Sequence, residues 1–495
     1  MDANNAERTP ATIPFRVALI PLVVMITIMG ITVIVLEASP HVPLLIGTVI
    51  ASAIAIRYGY SWKFIEQSTY YGIRMALPAI LVIILIGLTI GAWIGGGIVA
   101  TMVYYGLDIL SPSLFLFTIC TICALVTLAV GSSWATMGTI GVAGMGIGLS
   151  IDIPAPMVAG AIISGAYFGD KMSPLSDTTN LAAGLTGTDL FDHIKHMFYT
   201  TVPALIVALI VFYVLGMQFQ AASISADKIT SVQKVLSDNF IITPWLLLVP
   251  VVVILLIAFK LPALPALIAG IAMGWGCHVF VQGGEIATAV QTLHDGYKLE
   301  SGNAMVDELF NRGGIDAMMS TVSLAIIAMT FGGVMERTGM LKALVEQILK
   351  VARSAGALIS ATISSAFLTN LTASEQYISI LIPGRMYVDA FRQKHLKSKN
   401  LSRALEDGGT VTSVLVPWNT CGVFAASMLG VTAFDYAPYA VFNYAVPLIA
   451  MLLAFIGIGV QYMSPEELAA AERNQQAIDL EDPNAQPAPH NPSAG

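Results

Sequence analysis

The sequence predicts an all-α polytopic membrane protein of two inverted-topology repeats, with Pro-broken transmembrane helices, helical hairpins and about 12 to 14 membrane segments. Three observations carry this prediction. Of 495 residues, 56% are hydrophobic and 11% charged, against about 25% charged in an ordinary soluble domain, and the mean hydropathy is +0.77. The apolar residues gather into runs, several of them long enough to span. Marker residues of the first half also recur in order in the second. A soluble core of this composition would leave too little polar surface to cover it, so lipid is the solvent it suits. No basic stripe points to nucleic acid.

Residues 1–14 are polar and read as a cytoplasmic N-terminal tail. The first apolar run, Arg16 to Leu36, is long enough to span and is followed by many more, which argues against a cleaved leader. Further runs centre on 43–56, 75–94, 112–130, 132–149, 156–185 and 198–215, completing a first transmembrane repeat over 15–217. A polar connector, 218–243, follows. A second, inverted repeat over 244–462 holds runs near 244–259, 264–281, 317–334, 357–371, 374–390, 404–430 and 441–460. Residues 463–495 are acidic and rich in Pro, Asn and Ala, and read as a disordered cytoplasmic tail. As one helix, residues 112–150 would be about 58 Å long, far beyond the ~30 Å core, so they must break near Gly131. The matching break is expected near Thr369-Asn370. Cys120 and Cys123 have zinc-like spacing but no second pair or nearby His, so all four cysteines read as packing residues.

The repeat has a register. At an offset of 242, Gly72-Ile73 meets Gly314-Ile315, Gly91 meets Gly333, Thr127 meets Thr369 and Ser132 meets Ser374. At 243, Gly165 meets Gly408, Pro174 meets Pro417 and Phe191-Asp192 meets Phe434-Asp435. Basic loops mark the cytoplasmic side. Arg57, Lys63 and Arg74 make one loop basic, whereas its equivalent, Val281 to Gly314, is acidic through Glu285, Asp295, Glu300, Asp307 and Glu308. Gly141 to Pro156 has no basic residue, whereas its equivalent holds Arg385, Arg392, Lys394, Lys397, Lys399 and Arg403. Opposite character in equivalent loops is what an inverted repeat requires, with both termini cytoplasmic.

The chemistry gathers where polar residues interrupt apolar runs. Gly165 to Asn180 carries Asp170, Lys171, Ser176, Asp177, Thr178 and Asn180 around Pro174, which should break the helix. Its equivalent, Glu406 to Gly422, carries Asp407, Asn419 and Thr420 around Pro417. The preceding breaks add Ser132 and Ser133 in one half, and Asn370, Ser374, Glu375, Gln376 and Tyr377 in the other. Paired broken helices at corresponding positions of two repeats point to a midplane site. Carboxylate, hydroxyl and amide oxygens suit an alkali cation rather than a soft metal. The expected cation and proton ligands are Asp177, Ser176, Thr178, Asn180, Asp170, Asn419, Thr420, Glu375 and Asn370. Asp177 is expected to be buried and to serve as both ion ligand and proton carrier. Lys171, Ser132, Ser133, Ser374 and Asp407 read as substrate-binding or structural charge, with Asp170 and Lys171 eligible for structural ion pairing with other buried charges. Glu406 and Asp407 read as acids at a helix N-terminus, and His193, His196 and His395 as interfacial. No metal beyond transported sodium, and no cofactor, is expected.

Phe168 to Asn180, Leu401 to Thr410 and Pro417 to Gly422 resemble the NhaC-type sodium/proton antiporter family. The resemblance covers most of residues 15–460. It implies a bacterial inner-membrane secondary transporter exchanging sodium for protons by alternating access. It also leaves open a sodium- and proton-coupled organic-anion exchanger of malate/lactate type, or an amino-acid carrier, with Lys171 supplying charge to an anion. A homodimer is expected by analogy alone. An intramembrane aspartyl protease fits poorly, because Tyr167-Phe-Gly-Asp170 lacks the first glycine of Gly-x-Gly-Asp and the duplicated breaks go unexplained.

Overall fold

The computed structural model describes residues 10–468 apart from 37, 110, 220–225, 260, 304–305 and 308–309. Most of both terminal tails, part of the connector and Glu308 thus lie outside the described residues. The rest is helical: α1 (Phe15–Gly30), α2 (His41–Arg57), α3 (Trp62–Gly95), α4 (Ile98–Ile109), α5 (Phe115–Val130), α6 (residues 133–150), α7 (Ala155–Met172), α8 (Asp177–Thr186) and α9 (Leu190–Met217). After α10 (Ala226–Asn239) come α11 (Leu248–Ala258), α12 (Ala263–Phe280), α13 (Ile286–Asp295), α14 (Gly314–Arg337), α15 (Met340–Lys350), α16 (Ala355–Ala373) and α17 (Gln376–Gln393). The chain continues through α18 (Ser398–Leu415), α19 (Thr420–Leu429), α20 (Ala433–Tyr439) and α21 (Val441–Ile456). Among the described residues, six helices are long and apolar enough to cross a membrane, or up to nine if each bent pair is one span. Leucine, isoleucine and phenylalanine also cover much of the exposed surface, as lipid contact demands.

Two long helices set the frame. α3, started by the Ser61 hydroxyl accepting from the Phe64 N–H at 3.2 Å, packs along α14. Gly72 of α3 meets Gly333 of α14, and Gly87 and Gly91 meet Gly314 at the other end of the contact. A Cβ at Gly72 would run into the Met329 carbonyl, and one at Gly87 would stand 2.6 Å from the Gly314 oxygen. Small residues let two backbones touch, which is how helices associate in lipid. Gly72 and Gly314, like Gly91 and Gly333, are repeat partners, so each glycine pairs with the other's equivalent and the two helices run antiparallel. In this pair, equivalent elements of the two halves point opposite ways. The basic ends meet as well: the Arg337 guanidinium sits 5.0 Å over the Phe64 ring, and Tyr60 donates to the Thr338 carbonyl at 3.0 Å.

The register differs from the expectation in one respect. Gly97 and Gly339, left-handed at φ 72° and 76°, keep the 242 offset. Beyond α4 three pairs of segments match at 243 at both ends: residues 133–150 and Gln376–Gln393, Ala155–Met172 and Ser398–Leu415, Asp177–Thr186 and Thr420–Leu429. The one-residue shift thus falls before α5, so Ser132 corresponds to Glu375 rather than Ser374. The break after α5 lies at Gly131, as expected, but its counterpart lies at Ser374 rather than Thr369-Asn370, because α16 runs on to Ala373. The connector is not wholly irregular: α10 fills much of it and turns through 91° into the next apolar segment.

Candidate functional site

Pro174 ends α7 within two residues of Met172, and the chain turns over 173–176 before Ser176 opens α8. The turn is stapled by side chains. Asn180 donates its amide to the carbonyls of Pro174 at 2.9 Å and Ser176 at 2.7 Å, and the Thr179 hydroxyl donates to the Lys171 carbonyl at 3.0 Å. The Pro174 and Lys171 carbonyls are ones that an unbroken helix would have satisfied internally, whereas that of Ser176 also accepts from the Asn180 N–H at 3.1 Å. The α5–α6 break packs directly against this turn. A Cβ added at Gly131, which is left-handed at φ 78°, would lie 2.7 Å from the Leu175 Cβ and 3.0 Å from the Ser176 nitrogen. Ser132 then caps α6, accepting from the Ala135 N–H at 3.3 Å.

Asp170 is the convergence point of the two breaks. One carboxylate oxygen accepts from the Ser176 hydroxyl at 2.6 Å; the other accepts from the Ser133 hydroxyl at 2.5 Å and its N–H at 3.2 Å. Ser176 also lies 3.1 Å from the Thr178 hydroxyl. Asp170 is 7% exposed and lines a cavity of about 450 Å³ together with Ser132, Trp134, Asp177, Thr178, Glu375, Gln376, Tyr377 and Arg74. Both N-cap positions of the second helix after each break, Ser132 and Glu375, therefore face one cavity from opposite repeats. Trp134 stacks on Phe424 of α19 at 4.1 Å, so the cavity wall joins the halves.

The second break is tied off more completely. Glu375 caps α17, accepting from the Ile378 N–H at 3.1 Å. Asn370 donates to the Gly409 carbonyl at 2.7 Å and the Thr412 hydroxyl at 3.1 Å, and Asn419 donates to the Asn370 side-chain oxygen at 3.0 Å. The Ser374 carbonyl accepts from the Thr420 N–H at 3.0 Å. Gln376 donates to the Thr410 carbonyl at 3.2 Å.

Several expectations change here. Asp177 is exposed to the cavity rather than buried, and Asp170 holds the buried position. Asn180, Asn370 and Asn419 spend their amides on the breaks, and Thr420 and Ser374 lie off the cavity lining. Lys171 does form a structural ion pair with another buried charge, Asp407 at 2.6 Å, both fully buried, so it is not free to meet an anion. Glu406 and Asp407 do not open a helix; they sit within α18, in a π-helical turn over Glu406–Thr410. His193 and His196 are buried rather than interfacial, whereas His395 is exposed. Arg403, read as a loop residue, is fully buried 3.7 Å from Asp407; its i,i+4 spacing to that acid was the available signal. Arg74, read only as a loop charge, reaches the cavity.

The model of the Na+/H+ antiporter family matches residues 165–458, which hold both broken helices. The chain is 41% identical over 446 residues to the Na+/H+ antiporter NhaC of Bacillus subtilis, covering 90% of this chain and 98% of that one. It is 40% identical over 451 residues to the NhaC antiporter of Alkalihalophilus pseudofirmus, covering 91% and 97%. It is 38% identical over 425 residues to a malate-2H+/Na+-lactate antiporter of Bacillus subtilis, covering 86% and 88%. With a matched family model over more than half its length and relatives of this closeness along nearly all of it, the chain belongs to the Na+/H+ antiporter family.

Proposed function

We propose that the protein exchanges sodium ions for protons across a bacterial inner membrane by alternating access, with both termini cytoplasmic. The observation that carries this is Asp170: a buried carboxylate facing a cavity between two broken helices of opposed repeats, its oxygens oriented by Ser133 and Ser176. A sodium ion binds the Asp170 carboxylate with Thr178, Glu375 and Ser132 within the same cavity. A proton binds the same oxygens and competes with it, and only a neutralised site crosses the low-dielectric barrier readily. Exposed Asp177, at the positive end of α8, raises the local cation concentration from the cavity mouth. The relatives named as Na+/H+ antiporters support the assignment.

A second reading is favoured by Arg74 and by the cavity's size. About 450 Å³ greatly exceeds one dehydrated sodium, and Arg74 offers a guanidinium to a carboxylate. A small organic anion exchanged with sodium and protons fits both, and the malate/lactate relative supports it. One experiment separates the two. Everted vesicles from a host lacking sodium antiporters are acidified by respiration, and sodium is added while a pH dye is followed. Alkalinisation by sodium alone, lost in Asp170→Asn, supports cation/proton exchange. Alkalinisation only when malate or lactate is also present supports the second reading.

A further inference from the structure

Behind the cation cavity lies a second polar centre with which the cavity shares no lining residue. Lys171 of α7 donates to one Asp407 oxygen at 2.6 Å, and Thr200 of α9 donates to the same oxygen at 2.9 Å. Arg403 lies 3.7 Å from the other oxygen and donates to the Gly459 carbonyl at 2.9 Å. Next to Asp407 stands Glu406, 0% exposed, its one nearby side-chain donor the Thr410 hydroxyl and neither carboxylate oxygen in a well-formed hydrogen bond. Both ring nitrogens of His193 are also without a hydrogen bond. The ionisable groups acting on Glu406 are Lys171 and Asp170 from α7 and Asp407 on its own helix, with Arg403 one turn earlier against Asp407; of the other helices packed on the same turn, α16 and α21 carry no Asp, Glu, Lys, Arg or His, α17 carries Arg385, Asp389 and Arg392, and α8 carries Asp177.

With the Lys171 ammonium already held by Asp407 at 2.6 Å, an ionised carboxylate is costly to keep in so buried a place, whereas the uncharged acid is tolerated there. The fold does not require an acid at this point. By the 243 register the first repeat builds the same helix with Ile163 at the place of Glu406, Ser164 at that of Asp407 and Gly160 at that of Arg403. The acid lies in a π-helical turn, a local irregularity common where a helix does chemistry.

We propose that Glu406 is a second proton-carrying group of the transport cycle, separate from Asp170, holding its proton in the conformation seen and releasing it to water in the opposite-facing one. This rests on the reading of the protein as a sodium/proton exchanger. Sodium displaces one proton from Asp170; Glu406 takes a second from the water of one face, carries it enclosed as seen here, gives it up when movement of α18 opens it to the other face and returns without it, so that two protons move against one sodium and the exchange carries net charge.

Proteoliposomes with wild type, Glu406→Gln and Glu406→Asp test this. The membrane potential is set with potassium and valinomycin, and the potential at which net sodium flux vanishes yields the proton-to-sodium ratio. Isotopic sodium–sodium counterflow reports whether the cation cavity still works. The expected result is a null potential corresponding to about two protons per sodium in wild type, and in Glu406→Gln an electroneutral exchange whose sodium flux no longer responds to the potential, with counterflow kept. An unchanged ratio in Glu406→Gln, or loss of its counterflow, overturns the proposal. If the glutamine protein does not insert, Glu406→Asp carries the test: it should keep a ratio near two with a displaced pH profile, and an undisplaced profile overturns the proposal. Wild type showing no sodium/proton exchange at all would instead sink the underlying reading.

Discussion

Three hydrogen bonds define Asp170, and two of them come from Ser133, 37 positions earlier in the chain. Each hydrogen bond to a charged group contributes about 1.5–3 kcal/mol. Ser133→Ala removes the shorter, hydroxyl contact and leaves the N–H, so apparent sodium affinity should fall about tenfold in vesicle assays. Asp177→Asn should slow transport severalfold without abolishing it, because that side chain stands exposed at the cavity mouth. Abolition in Asp177→Asn with mild loss in Asp170→Asn would reverse these roles. The sequence favours Asp177 as ion ligand and proton carrier on the expectation that it is buried. What promotes Asp170 is the distant Ser133, a contact that no local pattern encodes. Lys171 and Asp407 were both legible as charges; their pairing, 236 positions apart, was not.

At the scale of elements, the site exists because four helix ends meet. Pro174, Pro417 and Gly131 announced three of those ends, since each residue makes a continued helix costly. The fourth, Ser374, was missed because it is left-handed at φ 59° without being glycine. There the chain is held by the Asn370–Asn419 contact and the Thr420 N–H rather than by intrinsic preference. Asn370→Ala should therefore act on stability first. It strips the donor from the Gly409 carbonyl and Thr412, at about 1–3 kcal/mol for buried groups left unpaired. The purified protein should melt several degrees lower while retaining sodium binding near wild type. Ser374→Gly, by contrast, should be tolerated or slightly stabilising in the same melt, because glycine adopts positive φ without strain.

For the whole molecule, the antiparallel crossing of α3 and α14 organises everything else, and it was partly visible beforehand. Gly72, Gly91, Gly314 and Gly333 stood out as repeat partners, and the loop charges indicated that equivalent elements run oppositely. That these same glycines touch one another could not be read without the fold, because a repeat says which residues are equivalent and not which are neighbours. Gly333→Leu should abolish insertion, since an added side chain meets the Ser68 carbonyl and the Gly72 backbone. Single cysteines at Glu285 and Gln393, in a background without native cysteines, should label from opposite faces of the membrane. The first belongs to the acidic segment and the second to the basic one. Labelling from one face would remove the inverted topology.

The central claim is that sodium and a proton compete for the Asp170 carboxylate. Radioactive sodium binding to the purified protein, measured from pH 6 to pH 9 for wild type and Asp170→Asn, tests it most directly. Competition predicts affinity that weakens as pH falls, by about tenfold per unit on the acid side, together with proton release on binding and no measurable binding in the variant. Sodium binding that ignores pH, or that survives unchanged in Asp170→Asn, would contradict it.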